Sequence, residues 1–156
     1  MLVTTLPLKK VRPPAHILCL GAHCDDIDIG CGGALLALLT KNAAVRVTWV
    51  VLSSTPDRER ELRASAKRFL GRAAGYDVRI STFRDGFFPA QFSDIKETFE
   101  SLKDLPEPDL IFTHHRLDHH QDHRIVAELT WNTFRNQIVL EYEVPKYEGG
   151  LTTPSA

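Results

Sequence analysis

The chain has 156 residues, 43% hydrophobic and 25% charged, with 19 basic against 20 acidic side chains and a formal net charge of −1. Such a balance belongs to one soluble globular domain, long enough to bury a core without disulfide or metal staples. It excludes a strongly basic nucleic-acid footprint, and no stretch reaches the ~20 apolar residues of a membrane span.

Residues 1–14 are basic and proline-containing but have no apolar run of the kind a secretory signal needs, so they read as a loose leading segment. Ile17–Ala22 reads as a short buried strand, and Gly30–Lys41 as a helix opened by glycines with a Leu35, Leu36, Leu38, Leu39 stripe. Val45–Leu52 is β-branched and almost wholly apolar, the pattern of a central parallel strand. Ser53 to Asp57 carries a helix-start signal, and the charged amphipathic helix that follows is predicted over 57–74 with Gly75 ending it. A third strand over 77–83 leads to a turn at Asp85-Gly86, then a helix over 93–105 closed by Pro106 and Pro108. Leu110–Thr113 is a fourth strand, Arg124–Arg135 a helix and Ile138–Val144 a fifth strand.

Strict alternation of strand and helix predicts an α/β fold: a Rossmann-like, doubly wound, mainly parallel sheet of order 3-2-1-4-5 with helices on both faces. Residues 15–147 form the single domain, and 148–156, rich in Gly, Thr, Pro and Ser, an extended tail. Cys19, Cys24 and Cys31 are odd in number and closely spaced, which argues against a disulfide framework and for a reducing, cytoplasmic setting. Cys19 and Cys31 read as buried packing residues, as do Trp49 and Trp131.

Two polar clusters stand out. Gly21-Ala22-His23-Cys24-Asp25-Asp26 places an imidazole and two adjacent carboxylates directly after the first strand. About a hundred residues later, five of the seven histidines fall between His114 and His123, together with Asp118 and Asp122. In the predicted strand order these clusters follow neighbouring strands at the point where the winding reverses, so topology alone brings them to one crevice. Burying paired carboxylates costs several kcal/mol without a positive partner, and imidazole with carboxylate is a donor set for Zn²⁺ or Fe²⁺. A free carboxylate beside such an ion can take a proton, and a histidine can stabilise an oxyanion.

These residues resemble the PIG-L/LmbE-type zinc-dependent N-deacetylases. The family signature Ala-His-Pro-Asp-Asp with following glycines is similar to Ala22-His23-Cys24-Asp25-Asp26 with Gly30, Gly32 and Gly33, and His-Pro-Asp-His-Arg is similar to His120-Gln121-Asp122-His123-Arg124. A weaker match is Arg-x-x-Glu, here Arg58 and Glu61. The resemblance implies that His23, Asp26 and His123 hold zinc and that Asp25 is the general base for the attacking water. It implies that His120 stabilises the oxyanion or assists amine departure, that Asp122 orients and charges His120, and that Arg58 contacts substrate. The implied reaction removes an N-acetyl group from an amino sugar or sugar conjugate, a small-molecule partner with no nucleic acid or membrane span; a homo-oligomer is compatible with all of this. Cys24 replaces the signature proline, and the chain ends soon after Tyr142–Tyr147, where family members continue. Hydrolysis of a non-sugar amide, or metal binding without turnover, are the competing expectations.

Plainer readings hold elsewhere. Asp28 is expected to be solvated or to stand behind a ligand, and Asp118 likewise to support a ligand or its loop. His114, His115 and His119 are expected outside the ligand set. Glu59, Arg60, Glu61 and Arg63 read as a solvated helix face. Phe87-Phe88-Pro89 reads as turn packing, and Gly30-Cys31-Gly32-Gly33 lacks the G-x-G-x-x-G spacing of a dinucleotide site.

Overall fold

The structure, a computed structural model, describes residues 16–145; the expected leading segment 1–14 and tail 148–156 lie outside them. Five parallel strands are hydrogen-bonded in the order β3-β2-β1-β4-β5. They are β1 (His16–Gly21), β2 (Arg46–Val51), β3 (Gly75–Ile80), β4 (Leu110–His114) and β5 (Ile138–Tyr142). The helices are α1 (Asp26–Gly30), α2 (Gly32–Lys41), α3 (Pro56–Phe69), α4 (Phe92–Ser101) and α5 (Gln121–Thr133), with 3-10 turns at Phe88–Gln91 and Leu102–Asp104. The expected fold class and strand order are therefore those of the molecule.

β1 is buried along its whole length because both its neighbours and both helical layers cover it. Its side chains alternate between two cores, as a strand's period of two requires. Ile17 and Cys19 join Trp49, Leu35, Leu39 and Leu62 beneath α1–α3, while Leu18 and Leu20 join Ile95, Phe99, Val126 and Leu129 beneath α4 and α5. Cys19 and Cys31 are buried packing residues and all three cysteines are free thiols. His16 opens the strand as a buried polar anchor: its Nδ1 meets the Pro106 carbonyl at 2.8 Å, and its Nε2 the Thr48 hydroxyl at 2.8 Å.

Several boundaries differ from the pattern. The helix expected over 30–41 is α2, which starts at Gly32, and a separate short helix, α1, precedes it, the two divided at Cys31, whose φ of −133° is not helical. Both flanking glycines are tightly covered, Gly30 by the Tyr142 ring and Gly32 by Phe69. α3 stops at Phe69, because Leu70 is drawn into the core and Ala74 N–H already pairs with the Val45 carbonyl at 2.8 Å. Gly75, expected as the helix end, therefore begins β3. α5 begins three residues earlier than expected, since His120 caps it by accepting from the Asp122 amide at 3.2 Å. Trp131, expected in the core, is 41% exposed; its Nε1–H donates to Glu141 Oε1 at 2.9 Å and Arg116 lies over its ring. Phe88 packs fully buried, as turn packing implies.

The glycines of this region separate packing from propensity. Gly30→Ala drives a methyl into the Tyr142 ring and should lower the unfolding free energy by about 1–3 kcal/mol, whereas Gly33→Ala meets open space and should raise it by about 0.4–1 kcal/mol. Urea titrations of both variants read the difference. His16 gives a pH test. Burial lowers its pKa below the ordinary value despite hydrogen bonds from the Pro106 segment that oppose the shift. A depressed folded pKa means the unfolded chain binds more protons, so this contribution is complete above about pH 6.5 and is lost as pH falls through the folded pKa. The slope of stability against pH between about 5 and 7 should flatten in His16→Gln, measured by denaturant titration.

Candidate active site

The crevice lies at the carboxyl ends of β1 and β4, where the winding reverses. β1 ends at Gly21, and a tight turn delivers His23 and Asp25 before Asp26 opens α1. β4 ends at His114, and the loop after it delivers Asp118 and His120 before Asp122 and His123 enter the first turn of α5. Placing carboxylates in first turns sets them against the positive ends of both helices.

Three donors converge. His23 Nδ1 lies 3.2 Å from His123 Nε2 and 3.3 Å from Asp26 Oδ2, and His123 Nε2 lies 3.4 Å from Asp26 Oδ1. The outer nitrogens face carboxylates: His123 Nδ1 meets Asp118 Oδ2 at 3.1 Å, and His23 Nε2 meets Asp85 Oδ1 at 2.9 Å and Asp122 Oδ2 at 3.3 Å. Protons on those outer nitrogens leave two lone pairs and a carboxylate facing one another in a nearly dry space. Either a proton or a cation must occupy it. Consistent with this, His23 has its pKa raised although burial opposes it, chiefly through its hydrogen bond and charge contact with Asp26. The Asp26 carboxyl lies far below the usual carboxylate range: burial pushes it up, but hydrogen bonds from His114, His123 and His23 outweigh that. Tetrahedral ligands about 2.0–2.1 Å from an ion stand about 3.3–3.4 Å apart, so the two imidazoles and the Asp26 carboxylate, which meets each ring through a different oxygen, have the spacing and donor chemistry of a metal site.

The other expected residues surround it. Asp25 is 55% exposed at its side chain and pairs with Arg58 Nη2 at 3.3 Å; Arg58 also reaches Glu61 at 3.8 Å. His23, Asp25, Ser53, Arg58, Asp85 and His120 line a crevice of about 320 Å³. A larger hollow of about 410 Å³ beyond the amino ends of β4 and β5 is lined by no His, Cys or Asp and offers no comparable chemistry. His120 sits with its ring 4.9 Å from that of His23, and burial lowers its pKa, helped by the charges of His123 and His23. Asp122 meets His120 only through its backbone amide. Its carboxylate instead accepts from Gly86 N–H at 2.6 Å and Phe88 N–H at 3.1 Å, tying the 85–88 loop to the site.

Cys24 turns from the triangle toward Ser54 Oγ, 3.2 Å away. Asp28 accepts from Ser65, outside the triangle. His115 pairs with Glu141 at 2.8 Å, and His119 is exposed. Asp118 supports His123 as described. Arg63 pairs with Glu59 on a solvated helix face. The sequence pattern missed Asp85, read as a turn residue. It also missed the contact of fully buried His114 with Asp26 Oδ2 at 3.1 Å. Strand parity held the signal for His114: it shares the face of Leu110 and Phe112, the side on which Cys19 lies. Nothing comparable marks Asp85, whose loop is brought in by tertiary folding.

A doubly wound parallel sheet with a His/Asp crevice at its switch point defines the class. The family model for GlcNAc-PI de-N-acetylase, PIG-L, matches residues 18–134, and the chain belongs to that family. It is 29% identical over 149 residues to the uncharacterized deacetylase YaiS of Escherichia coli K12, covering 88% of this chain and 78% of that protein. Among solved structures it is similar to the conserved protein TT1542 of Thermus thermophilus (TM-score 0.61, 24% identity), covering 81% of this chain and 65% of that one. It is also similar to the zinc-inhibited form of teicoplanin deacetylase Orf2 (TM-score 0.67, 16% identity, 90% and 73% of the two chains). The A40926 pseudoaglycone deacetylase Dbv21 gives a TM-score of 0.69 at 18% identity, over 90% of this chain and 68% of that one. The structural likenesses carry the fold.

Asp122 offers a direct test of how the crevice is assembled. Asp122→Ala leaves two amides of the 85–88 loop without their acceptor and should cost about 2–4 kcal/mol, while Asp122→Asn keeps one oxygen and should cost less. Thermal unfolding of both variants measures this, and equal losses would show that the loop is held by other contacts.

Proposed function

We propose that this crevice is the active site of a zinc-dependent hydrolase that removes an N-acetyl group from an amino sugar or sugar conjugate. The convergence of His23 Nδ1, Asp26 and His123 Nε2 at 3.2–3.4 Å, beside an exposed carboxylate, carries the reading. Family membership supports deacetylation. His23, Asp26 and His123 would hold the ion, and Zn²⁺ is the preferred occupant of a set that Fe²⁺ also suits. When bound, the ion supplies Lewis acidity and a water whose pKa falls toward neutrality.

The chain's own groups divide the remaining work. Asp25 takes the proton of the attacking water, and the Arg58 guanidinium 3.3 Å away steadies its carboxylate in the crevice. Arg58 in turn offers its remaining N–H groups to substrate hydroxyls. Burial lowers the His120 pKa, and because Nδ1 accepts from the Asp122 amide, the neutral ring carries its proton on Nε2. That N–H can hydrogen-bond to the developing oxyanion, and the proton taken up by Asp25 is the one passed to the departing amine. Asp122 acts on His120 through charge and through the amide that sets its tautomer. The hydroxyls of Ser53, Ser54 and Thr55 along the crevice wall suit a polyhydroxylated ligand. No helix among the described residues is long and apolar enough to cross a membrane.

Acetate release from N-acetylglucosamine-type substrates by the zinc-loaded protein tests the reaction, and sugar binding without acetate would favour a domain that has lost turnover. Asp25→Ala should reduce turnover by about 10²–10⁴-fold while most of the metal stays bound; substantial remaining activity would remove it as the base. His123→Ala should lose the metal, and full zinc occupancy by elemental analysis would refute its place as a ligand.

A further inference from the structure

We propose that His114 is a positioning residue that turns the Asp26 carboxylate so that one oxygen, Oδ1, is presented to the metal. The proposal rests on the metal-centre reading above. His114 ends β4, is 0% exposed, and stacks on His123 with ring centroids 3.9 Å apart at 14°. It is not one of the three converging donors, and falls instead with Asp118 and His123 in a second group of close donors. Its Nε2 is 3.1 Å from Asp26 Oδ2, 3.3 Å from the Tyr142 hydroxyl and 3.0 Å from the Ala22 amide nitrogen. Its Nδ1 is buried with no hydrogen-bond partner.

A neutral imidazole has one proton to place, and the contacts disagree about where. The Ala22 amide would favour a bare Nε2. The carboxylate favours Nε2–H, and so does Tyr142, whose own hydroxyl proton is committed to the Leu20 carbonyl at 2.7 Å. Either placement leaves one buried N–H without an acceptor, Nδ1–H in one case and the Ala22 amide in the other, so the carboxylate decides. Nε2–H gains a charge-assisted bond to Asp26, whereas a bare Nε2 would set two acceptors 3.1 Å apart. The proton belongs on Nε2. Asp26 Oδ2 then receives both the His23 amide, at 2.7 Å, and His114 Nε2–H. Oδ1 is left facing His123 Nε2 at 3.4 Å. A carboxylate held by one oxygen leaves the other as a single ligand atom and keeps a coordination position open for chemistry.

Packing alone does not explain the imidazole. A phenylalanine would fill the same space and keep the stack on His123 without burying an unpaired nitrogen. The Tyr142 ring backs His114 at a centroid distance of 4.8 Å and is itself seated on Gly30, so the whole assembly is anchored on α1 and β1.

The experiment compares the wild-type chain with His114→Phe, which retains the stack, and His114→Gln, whose amide nitrogen reaches toward the position of Nε2. Each is titrated with Co²⁺ against a competing chelator, its visible absorption is recorded, and its metal-free form is melted. His114→Phe should bind Co²⁺ about 10–100-fold more weakly, with a changed visible band as the carboxylate swings, and its metal-free form should melt below wild type because Asp26 Oδ2 loses a donor. His114→Gln should recover most of the affinity and the wild-type band. Wild-type affinity and spectrum in His114→Phe would overturn the proposal, and so would a His114→Gln variant no better than His114→Phe. A wild-type protein that takes up no Co²⁺ would instead refute the metal-centre reading on which this rests.

Discussion

The buried carboxylate of Asp26 is the constraint on which the site depends. A carboxylate 3% exposed would be neutral or would unfold its surroundings unless donors surround it. Here the His23 amide and His114 Nε2–H donate to it, and the inner nitrogens of His23 and His123 face it across the space that a proton or a cation fills. Those rings in turn need orientation, and further carboxylates provide it: Asp118 behind His123, Asp85 and Asp122 behind His23. Charge therefore alternates outward from Asp26, anion to imidazole to anion, until the outer carboxylates reach backbone amides or solvent. Asp122 ends on Gly86 and Phe88, and Asp118 on the amide of His120. Each layer fixes the tautomer of the one inside it.

The scaffold makes this order possible because the groups concerned arrive on elements that cannot move separately. β1 and β4 are adjacent in the sheet, and the corner beyond the ladder is joined by His114 on Asp26 and by the Tyr142 hydroxyl on Leu20. Tyr142 belongs to β5, in register with His114, so a third strand braces the same corner. α1 is only five residues long, yet it must begin at Asp26 and stop where Gly30 admits the Tyr142 ring. What reads as one glycine-rich helix start is two helices with different tasks, one aiming a carboxylate and one covering the sheet.

Much of this is legible in residue order. Alternating β-branched and amphipathic segments dictate a parallel sheet, and the winding rule places His23, Asp25 and Asp26 beside His120 and His123. Those inferences succeed because they depend on local periodicity and on a topology with few alternatives. The same reasoning stops short at contacts made between elements. Trp131 looks apolar enough for the core, but its helix turns it toward the β5 edge, where Glu141 and Arg116 hold it. Asp85 looks like a turn residue, and it is one; only the folding of the 85–88 loop onto Asp122 sets it against His23.

The sequence by itself determined the sheet, its order, and which imidazoles and carboxylates could meet, since these follow from periodicities of two and 3.6 and from chain connectivity. Tertiary structure alone decided which nitrogen of each histidine faces inward and which oxygen of Asp26 is free. It also decided that Asp122 braces a loop rather than hydrogen-bonding to His120 with its carboxylate. Those choices depend on distances of a few tenths of an ångström between residues up to a hundred positions apart, and no local pattern encodes them.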